Sequence, residues 1–347
     1  MRLTMDRYEA DWEMVRRGWD VHVRGVGRTF GSLGEAVRTL YEESEASDQD
    51  LEPFVIVDEN GPVGTIEDGS SVVFFNFRGD RAIEISRAFD DDDLSAFERG
   101  PRPSVCFAGM MEYDGDRHIP RRFLVNPPQI DATMSEMLVA AKVRQFAIAE
   151  TQKFGHVTYF WNGNRSGYFD ETLETYEEIP SSTTPEEHAP EMQAEPVTDR
   201  LLQAMTEGYD FLRVNYANGD MVGHTGNIDA TRLAVECVDR CLARLVEATR
   251  DLGGVLIVTA DHGNADHMYD TGSDGSVVVR SSHSLNPVPF AIFDPREVRE
   301  GPSVNASRSN HGVAGLANVA ATALELLGFE APASFEPSLL AGSTPPP

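Results

Sequence analysis

The chain has 347 residues, room for two domains and a sizeable core, and carries 57 acidic against 29 basic side chains for a net charge of −28. That charge argues against nucleic acid or an anionic membrane as a partner, and no apolar run reaches the ~18 residues of a membrane span. Cys106, Cys237 and Cys241 are too sparse for a disulfide framework. With no apolar leader at the N-terminus, they point to a reducing, cytoplasmic setting.

In chain order, residues 5–17 read as a charged helix and 33–45 as a second, capped by Ser32. Residues 54–57 and 71–77 are expected strands, with turn residues between them. Asp90-Asp-Asp-Asp93 reads as a solvated helix start, and residues 101–114 as one strand and a turn. Pro127-Pro128 is a candidate hinge, after which helical and extended patterns alternate. Residues 130–142 read as a helix, 145–148 and 156–161 as short strands, and 177–196 as a surface loop. A helix over 197–207 and a strand over 211–215 follow. Residues 227–252 form a long amphipathic helix with Ile228, Leu233, Val235, Val238, Leu242 and Leu245 inward; Cys237 and Cys241 read as small fillers rather than half a metal site. Residues 254–260 read as a buried parallel strand, 270–276 as a turn-rich insertion, 289–293 as a strand and 315–327 as a helix. The expected fold class is α/β, two domains dividing between 1–126 and 127–347.

The densest chemistry is Asp220-Met-Val-Gly-His224, Asp261-His262 and His283. Asp220 and His224 share one face of a helical turn, and Asp261-His262 follow the apolar strand, where open α/β sheets place ligands. Imidazole and carboxylate without thiolate suit a catalytic centre for manganese, cobalt or zinc. His267 and His311 are further candidates nearby. In so acidic a chain an anionic substrate needs local cations. Arg78-Gly-Asp-Arg81 offers two guanidinium forks after an apolar strand, for a phosphate or carboxylate or for surface ion pairs. Only two lysines occur, Lys142 and Lys153. A lysine at 153 can exchange a proton where arginine cannot. Asn162-Gly-Asn-Arg165-Ser-Gly-Tyr168 is a polar loop, an anion site or a turn. Ser282, Ser303, Ser307 and Ser309 lack the company of an activated nucleophile.

Five segments together resemble one family: Asn76-Phe-Arg-Gly-Asp-Arg81, Glu150-Thr-Gln-Lys-Phe-Gly-His-Val-Thr158, Asn215-Tyr-Ala-Asn-Gly-Asp-Met-Val-Gly-His-Thr-Gly226, Val258-Thr-Ala-Asp-His-Gly-Asn-Ala265 and Ser282-His283. They look like cofactor-independent phosphoglycerate mutase. Thr4-Met-Asp-Arg-Tyr-Glu-Ala-Asp-Trp12 and Trp161-Asn-Gly-Asn-Arg-Ser-Gly-Tyr-Phe169 resemble its plant-type branch. The resemblance implies an alkaline-phosphatase-like doubly wound domain over 127–347, preceded by the second half of an α/β phosphotransferase domain over 1–126. It implies interconversion of 3- and 2-phosphoglycerate in glycolysis through a phosphoserine. Asp220, His224 and His283 would hold one divalent ion and Asp261 and His262 another, usually manganese, with cobalt, zinc or magnesium as alternatives. Arg7, Arg78 and Arg81 would hold the substrate, with Lys153 beside the nucleophile. The family's serine and a further aspartate ligand belong to an N-terminal portion not found in this sequence, so Met1 reads as internal and the chain as truncated. Alternatives are a metal-binding fragment that needs a partner chain to supply that portion, and a metal-dependent phosphatase of the same superfamily.

Overall fold

A computed structural model describes the chain except for residues 1–2, 7–10, 45–50, 78, 80, 116, 127–129, 131, 273–274, 281, 297–303, 306, 308–312 and 341–347. It divides into two compact units, Met1–Gln129 and Ile130–Pro347. Pro127 and Pro128, Arg7 and Arg78, His311, Ser303 and Ser309 all lie outside the described residues.

The first unit contains α1 (Trp12–His22), β1 (Arg28–Phe30), α2 (Leu33–Glu43), β2 (Phe54–Asp58), β3 (Gly61–Pro62), β4 (Ser71–Phe74), α3 (Ile83–Asp90) and β5 (Cys106–Gly109). Asp11 starts α1 by accepting from the backbone N–H groups of Glu13 and Met14, later than the expected 5–17. Ser32 caps α2 as the sequence indicates. Val15 and Trp19, one turn apart, pack on Ile85, Ala88 and Phe89 of α3 and Phe107 of β5. The Trp19 indole also donates to the Arg99 carbonyl at 2.9 Å, so its one polar atom is satisfied on burial. Strand β2 pairs parallel with β1 and antiparallel with β3, and β4 pairs parallel with β5.

Two expectations fail here for physical reasons. The strand foreseen over 71–77 stops at Phe74; the Tyr113 hydroxyl donates to the carbonyls of Phe74 and Asn76, at 3.2 and 2.7 Å, in place of a ladder. The acidic run at Asp90 follows a helix instead of starting one. Arg102 donates to the carbonyls of Phe89 and Asp90 at 3.0 and 3.1 Å, satisfying groups that a helix end leaves open.

The second unit contains α4 (Met134–Ala140), β6 (Gln145–Glu150), α5 (Thr151–Val157), β7 (Glu174–Ile179), α6 (Ala194–Ala204), β8 (Phe211–Asn215), α7 (Asn218–Gly223), α8 (Ile228–Leu252), β9 (Leu256–Thr259), β10 (Tyr269–Thr271), β11 (Val277–Val279), β12 (Phe290–Phe293) and α9 (Val319–Leu326). Every residue of β6 is buried, and the strand runs parallel to both β7 and β8. Phe146 and Ile148 face α6 and α8, packing on Val197, Leu201 and Leu245. Ala147 and Ala149 face the other way, onto Val157 of α5. Helices therefore cover both faces, the doubly wound α/β arrangement.

Several boundaries differ from expectation. The aromatic stretch expected as a strand over 156–161 instead ends α5 and enters turns, with Gly163 and Asn164 at positive φ. Packing of Val157 on β6 outweighs the β-propensity of Tyr159 and Trp161. The expected loop from Glu177 begins as the end of β7, its register set by β6. The turn-rich insertion is the β10–β11 hairpin. Strand β9 is half-buried and pairs antiparallel with β12. In α8 the buried stripe is Ala230, Ala234, Cys237, Cys241 and Leu245, whereas Ile228, Leu233 and Val235 are exposed. Steps of four and three follow the helical repeat through the small residues, so the inner face is turned from the expected one by about a quarter of a turn.

Candidate metal centre

The site is assembled at the carboxyl ends of strands. β6 ends at Glu150 and turns directly into α5, placing Lys153 on its first turn. β8 ends at Asn215; α7 follows and presents Asp220, with His224 as its C-terminal cap one turn later. Asp261 and His262 follow β9, and His283 lies beyond β11. A bridge between Gly263 and Ser284, closed by the Ser284 N–H on the Gly263 carbonyl at 2.9 Å, holds the last two segments together.

Asp220, His224 and His283 converge. Asp220 Oδ1 lies 3.1 Å from His224 Nε2 and 3.2 Å from His283 Nε2, and the two ring nitrogens are 3.2 Å apart. Among the described residues these three alone form a group of His, Cys, Asp or Glu with ligand atoms within 4.8 Å of one another. Three electron-pair donors aimed at one point, two of them imidazole nitrogens able to share a single proton, fit one divalent cation. Asp220 Oδ2 accepts from Lys153 Nζ at 2.6 Å, and Lys153 is only 4% exposed.

Burial pushes the Asp220 carboxyl up, but hydrogen bonds and charge from His224 and Lys153 outweigh it and hold the group well below the usual carboxylate range. Burial lowers His283; the attraction of Asp220 opposes this, and His262, His224 and Lys153 reinforce it. The balance favours the neutral imidazole, the form that ligates.

His262 stacks on His283, ring centroids 3.7 Å apart and planes 10° apart, and its Nε2 lies 3.7 Å from Asp261 Oδ2. Asp261 and His262 thus adjoin the cluster without joining the convergent three. His267 instead pairs with Asp270 on the hairpin at 3.5 Å. In the other unit, the Arg81 guanidinium donates to the Met5 carbonyl. The 162–168 loop is a turn: Asn162 donates to the Tyr176 hydroxyl at 2.7 Å, and Arg165 lies over the Phe169 ring. Ser282 is an exposed loop residue. Sequence reasoning passes over Asn264, buried inside the Val258–Ala265 motif, whose Nδ2 donates to Asp220 Oδ1 at 2.9 Å. Its one sequence signal is the preceding Gly263, a residue suited to crowded loops.

Comparison with known proteins agrees with this chemistry. A probable 2,3-bisphosphoglycerate-independent phosphoglycerate mutase of Leptospira interrogans is 52% identical over 98% of this chain and 63% of its own length. A 2,3-bisphosphoglycerate-independent phosphoglycerate mutase of Trypanosoma brucei brucei is 48% identical, with the same coverage. One from the plant Mesembryanthemum crystallinum is 45% identical over 98% of the chain and 62% of its length. A crystal structure of Leishmania mexicana phosphoglycerate mutase at low cobalt concentration superimposes with a TM-score of 0.92 at 47% identity, covering 98% of this chain and 63% of that one. The chain therefore spans just under two thirds of the length of these relatives. The Metalloenzyme superfamily profile matches residues 28–331, reaching into both units. An alkaline-phosphatase-like α/β fold and an imidazole–carboxylate cluster at its strand ends accompany that match, and the chain belongs to the Metalloenzyme superfamily.

Proposed function

We propose that this chain forms the cation-binding and substrate-holding part of a cytoplasmic, glycolytic isomerase that interconverts 3-phosphoglycerate and 2-phosphoglycerate, of the plant-type branch of the 2,3-bisphosphoglycerate-independent mutases. The observation that carries the reading is the Lys153 ammonium on the same carboxylate that two imidazoles share. Such a centre suits a phosphoryl dianion better than a neutral substrate. The relatives' names supply the substrate.

In this reading Asp220, His224 and His283 hold one divalent ion, and Asp261 and His262 contribute to a second. Manganese is the proposed metal, with cobalt, zinc and magnesium as alternatives. Bound, the ions supply Lewis-acid charge to phosphoryl oxygens. Lys153 adds a fixed positive charge and keeps Asp220 ionised. Arg7, Arg78 and Arg81 hold the phosphate and carboxylate of the glycerate while it reorients. The phosphoryl group passes through a serine supplied by the part of the relatives' length that this chain does not span. The first unit then corresponds to the end of a phosphotransferase domain and the second to a phosphatase-type domain. The coverage of 63% favours a second, compatible reading, a metal-binding chain that turns over only when a partner chain supplies the remainder.

An enolase-coupled assay with manganese and 3-phosphoglycerate, with and without the relatives' N-terminal portion added in trans, tests the reading. Turnover is expected only with the addition. In calorimetry, the double variant His224→Ala/His283→Ala is expected to bind manganese more weakly by several kcal/mol, about a hundredfold or more. Release of inorganic phosphate in place of 2-phosphoglycerate, or equal manganese affinity in the double variant, would sink the proposal.

A further inference from the structure

The Asp220 carboxylate must keep one lone pair of Oδ1 directed at the point where the two imidazoles meet. Lys153 fixes Oδ2, yet a lysine at the end of a flexible stem does not by itself set the rotation of the carboxylate plane. A second donor does so. Asn264 Nδ2 lies 2.9 Å from Oδ1 and takes one of its lone pairs. We propose that Asn264 is a positioning residue that orients Asp220 for the cation; this rests on the metal-centre reading above.

Three observations make Asn264 a built element of the site. It is 6% exposed, and its amide is oriented with Nδ2 toward the carboxylate, the only orientation in which that contact attracts. Its other amide atom lies against Gly223 of α7. A Cβ added at Gly223 would stand 2.4 Å from Asn264 Oδ1 and 3.4 Å from the Ala265 backbone nitrogen. Gly223 is three residues after Asp220 and one before His224, so the turn that presents both ligands also walls the amide in. The loop behind Asn264 is tied down as well. The His267 N–H donates to the Asn264 carbonyl at 2.9 Å. Asp266 Oδ2 accepts from Ser284 Oγ at 2.8 Å and Asn286 Nδ2 at 2.6 Å, which locks this loop to the segment carrying His283. Asn264 thus sits between the two chain segments that supply the donors, α7 with Asp220 and His224 and the segment carrying His283. An amide suits this role because it donates at every pH and adds no charge that would compete with a cation.

Outer partners of metal ligands typically govern affinity by 10- to 100-fold. The experiment uses the whole chain and two probes, manganese by calorimetry and the visible absorption of bound cobalt. The variants are Asn264→Leu, which keeps the branched shape but cannot donate, Gly223→Ala, which leaves the amide intact but displaces it, and Asp220→Ala as reference. Asn264→Leu is expected to weaken manganese binding about 10- to 100-fold and to change the cobalt band shape, with the metal-free chain melting within about 2 °C of wild type. Gly223→Ala is expected to shift both probes the same way. Wild-type affinity and an unchanged cobalt spectrum in either folded variant overturn the proposal. So does a fall in affinity matched by a fall in metal-free melting temperature with no change in band shape, which marks a merely structural residue. If wild type and Asp220→Ala bind manganese alike, the metal-centre reading itself falls and takes the positioning role with it.

Discussion

Asp220 makes contacts on two oxygens with four neighbours: Lys153, Asn264, His224 and His283. That arrangement explains why a carboxylate can be 13% exposed and still ionised. Desolvation costs several kcal/mol for an unpaired buried ion, and the ammonium and hydrogen bonds return it. Glu150, three residues before Lys153, shows the opposite case. It is 2% exposed; Oε2 accepts from the Gln193 N–H at 2.9 Å while Oε1 has no hydrogen-bond partner among the described residues. Burial raises its carboxyl above the ordinary glutamate value; Gln193 and Ser181 act against this, and Glu186 adds to the rise. A raised folded-state value means stability that is fully present below the unfolded value and lost as pH rises through the folded one. Glu150→Gln is therefore expected to stabilise the chain by about 1 kcal/mol at neutral pH and to make no difference near pH ~4. Urea melts of both proteins at the two pH values check this; an equal gain at both would remove the titration as its cause.

The elements that hold the site are fixed by local devices as much as by packing. α8 follows directly on the segment carrying His224. It begins where Asn227 Oδ1 accepts from the Ala230 N–H at 3.1 Å and ends at Gly253, in the left-handed region at φ 66°. Both devices are readable as residue types, Asn before an apolar run and Gly after it. Asn227→Ala is expected to cost about 1 kcal/mol, read as a lower urea midpoint, with the helical circular dichroism of the folded state unchanged. No change in midpoint would show that packing of Ala230 and Ala234 under Val222 sets the start of the helix without the cap. The same helix shows why its inner face is hard to read from residue types. Large aliphatic residues dominate a sequence-based estimate, but Ala, Cys and Thr fill the contact with α6 and α7, where the helices approach closely.

At the scale of the whole molecule, 57 carboxylates against 29 cations leave an excess of repulsion over pairing. The exposed ion pairs, such as Arg28 with Glu43 or Arg244 with Asp199, are each worth little and weaken in salt. Screening of the uncompensated charge should outweigh their loss. Salt is therefore expected to stabilise the chain: going from ~0.1 to ~1 M sodium chloride shortens the screening length from about 10 to about 3 Å, and the first thermal transition should rise by a few degrees. Calorimetric scans over that range test it; a falling midpoint would mean that ion pairs prevail over net repulsion. Two compact units make two transitions a reasonable outcome, and each should shift the same way.

The sequence by itself determined the α/β class, the cap of α2, Cys237 and Cys241 as buried fillers of α8, and the spacing that puts Asp220 and His224 on one turn. These are local properties, set by residue type and by a repeat of 3.6 or 2. It also named His283 as part of the histidine–aspartate cluster, without any local reason for that residue to lie 59 positions from His224 and yet 3.2 Å away. Tertiary structure alone decided that Lys153 sits on a helix against Asp220, that 156–161 is not a strand, and that Asn264 reaches the carboxylate. In each case the deciding partner lies on another chain segment. Burial and hydrogen-bond satisfaction across segments, which a linear pattern does not encode, override the propensity of the residue itself.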